Sequence, residues 1–262
     1  MDRVDPPTSP WTPAREPELD AHALDRLPWP AVRRHLARDP RLLLAVGSLE
    51  QHGPHLPLGT GTLIAEHVVR RLSHRLGILR APTFGYGVNL RGSDRFPGTA
   101  GVRRKTLHRA VNELFSSWED HGVSEFLVVT ASRSEPHMDA LLMALTSDAR
   151  TTVIDLFALD VSRHRAGAGE PEHAGEVETS LLLYLRPDLV RSEAVHDAPA
   201  EGRQLRRYFG GRPLTPPESS GGVIGRPSAA DAARGGAILD SWIDDLVALL
   251  SNGDAPAAEP GP

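Results

Sequence analysis

Apolar residues arrive along this chain in two alternating rhythms. Arg41–Ser48 (RLLLAVGS) and Glu125–Thr130 (EFLVVT) are nearly continuous apolar runs, which predicts strands buried on both faces. Ile78–Ala81 and Thr152–Leu156 predict two further short strands. Between the runs the spacing becomes helical. Ile64, Val68 and Leu72 share one face of a predicted helix over 63–76, and Leu107, Val111, Leu114 and Trp118 share a face over 105–121. Gly77 and Gly122 stop these two helices. Pro30 can open a short helix through Arg38, and more helices are predicted over 136–149, 173–185 and 229–250. Short apolar strands alternating with helices of ten or more residues predict an α/β fold, with a parallel or mixed sheet covered on both faces.

The ends of the chain have no such rhythm. Residues 1–27 carry prolines at 6, 7, 10, 13 and 17 and read as a disordered arm, and the Ala/Pro/Gly-rich stretch 252–262 reads as a disordered tail. One domain over residues 28–251 is expected between them, since no internal repeat or linker interrupts it. Composition narrows the function classes. The net charge of −5, scattered basic residues and an aromatic content of 5% argue against a nucleic-acid partner. No run of about twenty apolar residues occurs, so no membrane-spanning helix and a cytoplasmic location are expected. Cysteine is absent and Lys105 is the lone lysine, which removes thiolate chemistry and leaves Schiff-base chemistry one poor candidate. Catalysis would have to come from His, Asp, Glu or a hard or borderline metal.

Chemistry concentrates after the first strand, in Gly47–Thr62 (GSLEQHGPHLPLGTGT). Glu50 and His52 stand two apart in an extended run, so both side chains can project to one side. A carboxylate and an imidazole so placed suit zinc or manganese, beyond the carboxyl end of a strand where open α/β sheets place their sites. The same spacing also suits a tight loop held by hydrogen bonds, and spacing alone does not choose.

The string Glu50–Gln51–His52–Gly53–Pro54–His55–Leu56–Pro57 resembles the hallmark of the creatininase-like amidohydrolases. Three later segments agree with it in order and spacing. Phe96–Pro97–Gly98–Thr99 is similar to the family's FPGT, Glu172–Ser180 (EHAGEVETS) to its EHAG-x-x-ETS, and Gly222–Val223–Ile224–Gly225 with Pro227 and Ala230 to its GVxGxPxxA. The resemblance spans about residues 30–250, and the last third is most similar to the mycofactocin-system peptidases of that family. It implies a three-layer α/β/α sandwich, usually oligomeric, acting on C–N bonds of small molecules or peptides with two metal ions.

The resemblance also implies ligands that this sequence lacks. Glu50 and His52 match the first two. The bridging Asp, eleven residues after the Glu, falls on Gly61, and a later His and its partner fall on Ser132 and Ser134. Without the bridging carboxylate a two-ion clamp is hard to assemble. His137 and Asp139 have the spacing of displaced ligands, although an exposed first helical turn accounts for them more simply. Substituting Gly61→Asp, Ser132→His and Ser134→Glu is expected to raise metal occupancy, provided the loop after Thr130 follows the family's path.

His173 and the acids Glu172, Glu176 and Glu178 are retained. The resemblance implies that Glu172 and His173 assist proton transfer and that Glu178 lies in the active-site shell. A role for the Glu178–Ser180 stretch in helix packing alone fits as well. The expectation is therefore a family member with an incomplete metal set and no certain cofactor, holding at most one weakly bound Zn or Mn ion. It would act as a silent or non-canonical relative, a binding protein or a subunit in a homo- or hetero-oligomer. The alternative is an active amidohydrolase or peptidase with a mononuclear or rearranged site.

Overall fold

The computed structural model describes residues 19–132, 134–143, 148–164, 166, 172–200 and 215–251. Four strands form one sheet: β1 (Arg41–Val46), β2 (Leu79–Arg80), β3 (Glu125–Thr130) and β4 (Arg150–Asp155). Their order is β2-β1-β3-β4 and every pairing is parallel. Among the described residues six α-helices accompany them: α1 (Trp29–Leu36), α2 (Thr60–Leu76), α3 (Arg104–Glu119), α4 (Glu135–Leu142), α5 (Glu176–Leu185) and α6 (Ala232–Ser251).

The strands' apolar runs are explained by two cores, one on each face of the sheet. Leu42, Leu44 and Val46 of β1, with Phe126 and Val128 of β3, point to the side of α1, α3 and α4. The alternate residues Leu43, Ala45, Leu127 and Val129 point to the side of α2, α5 and α6. A strand sandwiched in this way has no polar face, so period-two alternation disappears. The three-layer α/β/α sandwich implied by the resemblance is present.

The strand order makes a switch point. From β1 the chain crosses by α2 to β2, then by α3 back past β1 to β3, with α2 and α3 on opposite faces. Arg41 pairs with Glu125 and Val46 with Thr130, so β1 and β3 end level. The loops beginning at 47 and 131 therefore open into one crevice, the usual site position in open α/β sheets.

Several sequence-predicted boundaries shift. α2 begins at Thr60 rather than 63, and ends as expected at Gly77, whose φ of 68° is left-handed. α5 begins at Glu176, because Ala174 (φ 54°) bends the chain just before it. α4 stops at Leu142, and residues 144–147 of the helix expected to reach 149 lie outside the described residues.

The expected disordered arm, 1–27, needs a larger correction. Leu19, Asp20 and Ala23 are buried, and Leu24–Arg26 forms a 3-10 turn. Ala23 bridges to Arg80 in parallel, Arg80 N–H donates to the His22 carbonyl at 3.0 Å, and the Arg80 guanidinium binds Asp20. Residues 19–27 thus cover the outer edge of β2. The prolines at 6, 7, 10, 13 and 17 all precede the buried residues Leu19, Asp20 and Ala23, so they carry no information about that stretch. Residues 1–18 and 252–262 lie outside the described residues.

Candidate metal centre

The segment after β1 leaves the ladder at Val46 and is held by contacts from distant motifs. Glu50 N–H donates to the Leu58 carbonyl at 2.9 Å, and Gln51 N–H donates to Thr99 Oγ1 at 3.0 Å. Leu49 forms an antiparallel bridge with Ala100. His55 Nε2 pairs with Thr179 Oγ1 at 3.0 Å. His173 is clamped by two backbone hydrogen bonds with Ile224, each 2.8 Å. The four segments that carry the family resemblance therefore converge in space, although 122 residues separate His173 from Gln51.

Three side chains come together there. His52, His173 and Glu178 each offer one ligand atom, and these atoms all lie within 4.8 Å of one another. The His52 and His173 rings are 4.6 Å apart, and His52 Nε2 is 3.5 Å from Glu178 Oε1. All three side chains are buried. Glu178 Oε2 accepts the Ala174 N–H at 2.6 Å. Ala174 is the one non-glycine residue with positive φ among the described residues, and its backbone is held in place by that carboxylate. Burial lowers the His52 pKa, but the facing Glu178 and nearby Glu50 outweigh it and hold the imidazolium above its ordinary range.

Glu50 is not part of this group. Its Oε1 accepts the Leu90 N–H at 2.6 Å and the Ser93 hydroxyl at 2.8 Å. Glu50 and His52 lie in loop rather than in an extended strand, and Glu50 still acts electrostatically on His52 and Glu178. Burial raises the Glu50 carboxyl above its usual range, against His52, Ser93 and Leu90, which pull it down. Ser93 and the Leu90 amide were not recognisable as its partners from sequence.

The displaced-ligand candidates do not join the cluster either. His137 is fully buried, with Nδ1 accepting the Val88 N–H at 3.2 Å. That puts its proton on Nε2, which stands 3.1 Å from Thr130 Oγ1. Both ring nitrogens are used, and burial lowers its pKa to about 4. Asp139 is half exposed and lies 4.0 Å from the Arg104 guanidinium. Glu172 takes a capping position: its two oxygens accept the N–H groups of Glu176 (3.1 Å) and Val177 (3.0 Å), at the start of α5.

The two-ion centre that the resemblance implies does not fit these residues. A Cβ on Gly61 would lie 2.6 Å from the Ala131 carbonyl oxygen, closer than such atoms approach. Ser132 Oγ accepts the Ser134 N–H at 3.3 Å, and Ser134 Oγ donates to the Asn89 carbonyl at 3.4 Å. A side chain at 61 would require the Ala131 backbone to shift. A cavity of about 610 Å³ lies elsewhere, at the amino ends of the strands, lined by Leu24, Trp29, Leu42, Leu79 and Trp118 among others.

Among the described residues, no helix is long and apolar enough to cross a membrane. The chain is 32% identical over 229 residues to the mycofactocin precursor peptide peptidase of Mycobacterium ulcerans (strain Agy99), covering 81% of this chain and 85% of that one. It is 28% identical over 235 residues to the creatinine amidohydrolase of Pseudomonas putida, covering 81% and 89%. A crystal structure of creatinine amidohydrolase (creatininase) superposes with a TM-score of 0.76 at 24% identity, over 90% of this chain and 99% of that one. Its relatives are thus hydrolases of small-molecule or peptide substrates, and the family model for creatininase, creatinine amidohydrolase, matches residues 25–250: the chain belongs to the creatininase family.

Proposed function

We propose that this creatininase-family protein does not carry out two-metal hydrolysis and serves as a silent relative, a binding protein or a partner subunit. One observation carries the reading: a Cβ on residue 61 would stand 2.6 Å from the Ala131 carbonyl oxygen, so no side chain fits there without a backbone shift. Two-metal catalysis of this type requires a ligand shared by both ions at about 3.5–4 Å separation, and glycine cannot supply it. Glu50, Ser132 and Ser134, the other positions aligned with metal ligands, are spent on hydrogen bonds within the loops. The cluster of His52, His173 and Glu178 exposes 2%, 2% and 1% of its surface, which does not suit direct approach by a peptide.

The test measures metal content by mass spectrometry on chain purified without chelator, together with ring opening of creatinine and release of amine from peptides. The expected result is fewer than two ions per chain and no turnover above the protein-free rate. Two ions per chain with metal-dependent turnover would overturn the reading.

A second reading, an amidohydrolase with one metal, is favoured by the donor set. Two imidazoles and one carboxylate are the protein ligands of several catalytic zinc sites. Turnover that disappears with chelator and returns with one equivalent of zinc would select it.

A further inference from the structure

We propose that His52, His173 and Glu178 form a site for a single divalent cation of the zinc type, different in composition from the two-ion centre that the family resemblance implies. It goes beyond the reading above, since a silent relative need hold no metal at all.

The distances are close to those required. A tetrahedral zinc with bonds of about 2.0–2.1 Å holds its ligand atoms roughly 3.3 Å apart. His52 Nε2 and Glu178 Oε1 are already at 3.5 Å, and no separation in the group exceeds 4.8 Å. Side-chain rotations of about an ångström, with no backbone movement, would complete the set.

Orientation is built in from behind. His52 Nδ1 lies 2.9 Å from the Glu50 carbonyl and His173 Nε2 lies 2.8 Å from the Gln51 carbonyl. A carbonyl only accepts, so each of these nitrogens carries the proton and the opposite nitrogen of each ring is the basic one. Metal-binding histidines are typically oriented this way, by an acceptor on the far nitrogen. Both acceptors come from adjacent residues of one loop, and that loop is pinned by Thr99, Leu58 and Gly222. Glu178 is fixed in turn by the Ala174 amide.

The three ligands come from two segments, the loop after β1 and the start of α5. A cation between them would tie these segments together, so its binding should stabilise the fold as well as the site.

The test uses the full chain, stripped with chelator and titrated with Co²⁺ as a spectroscopic stand-in for zinc. The expected result is one Co²⁺ per chain with the visible bands of a tetrahedral ion, and a melting temperature that rises with Zn²⁺. Glu178→Gln and His173→Asn should each weaken Co²⁺ binding by roughly tenfold or more. Asp139→Asn, at a half-exposed carboxylate beside Arg104 and outside the cluster, should change affinity by less than about twofold. Circular dichroism on every variant checks the fold, and the isosteric Glu178→Gln carries the test if His173→Asn does not fold. Absence of binding, or loss of binding in Asp139→Asn with retention in Glu178→Gln, would overturn the proposal. Absence of binding leaves the silent reading intact, while turnover with one bound ion would overturn the silent reading and support this site, so the two fail separately.

Discussion

The Ala131 carbonyl oxygen stands 2.6 Å from the point a Cβ on residue 61 would occupy, so Gly61 admits no side chain unless the loop after β3 shifts. Gly61 is buried in the first turn of α2, and Ser48 Oγ lies 3.8 Å from the same point. Restoring the missing ligands by substitution therefore conflicts with the backbone.

Gly61→Asp should destabilise the protein by about 2–4 kcal/mol, through overpacking and an unpaired buried carboxylate. The triple change with Ser132→His and Ser134→Glu, expected from sequence to raise metal occupancy, should instead lower the melting temperature without creating a two-ion site. Thermal melts and metal analysis check both halves. A triple variant that keeps its stability and gains two ions would mean that the loop reopens at little cost.

Asp20 gathers three arginines. Arg80 binds it from β2, Arg26 approaches to 2.9 Å and Arg70 to 3.3 Å. Arg80 is itself 7% exposed, so removing its counter-charge leaves a buried cation. Asp20→Ala should cost about 3 kcal/mol in urea unfolding. Deleting residues 1–18 should cost far less than deleting 1–23, a contrast that a wholly dispensable arm would not give.

His137 makes acid stability testable. Its pKa falls from 6.5 unfolded to about 4 folded, because burial disfavours the charged ring. Between those values the unfolded chain takes up the proton first, so stability is full above pH 6.5 and falls as the pH drops toward 4. The span is as much as about 3 kcal/mol for this residue. Urea titrations of wild type and His137→Asn at a series of pH values should show a shallower acid slope in the variant. Equal slopes would mean that His137 does not carry the effect.

Ala174 sits at φ 54° with its methyl fully buried. Ala174→Gly should stay within about 1 kcal/mol of wild type, since relief of backbone strain offsets the lost methyl. Ala174→Val should cost more than about 2 kcal/mol and disturb the Glu178 contact. Chemical denaturation of the two variants gives the comparison directly.

The fold was more legible in the sequence than the site. Arg41–Val46 and Glu125–Thr130 are apolar without interruption, and burial between two helix layers leaves few other placements for such runs. The motif around His52 was legible, but the direction of Glu50 was not, because it depends on Leu90 and Ser93 forty residues away. Two sets of residues kept apart in the sequence, His52 as ligand and His173 as proton carrier with Glu178 in the active-site shell, meet in one cluster. Their contact is set by the His173–Ile224 backbone pairing, which local pattern does not encode. His137 was misjudged for a related reason: on a helix of eight residues, a first-turn position can face inward as readily as outward.

The sheet divides the molecule into two cores, and the cluster draws on only one of them. His173 and Glu178 belong to the start of α5, which packs with α2 and α6, while α1, α3 and α4 fill the opposite face. Phe115 of α3 stacks on Phe126 of β3 at 3.9 Å there, with no atom directed at the cluster. Mutational drift should therefore be unequal between the two halves. Descendants of this chain can reshape the α1–α3–α4 side, and whatever it meets, while inheriting the His52–His173–Glu178 arrangement unchanged.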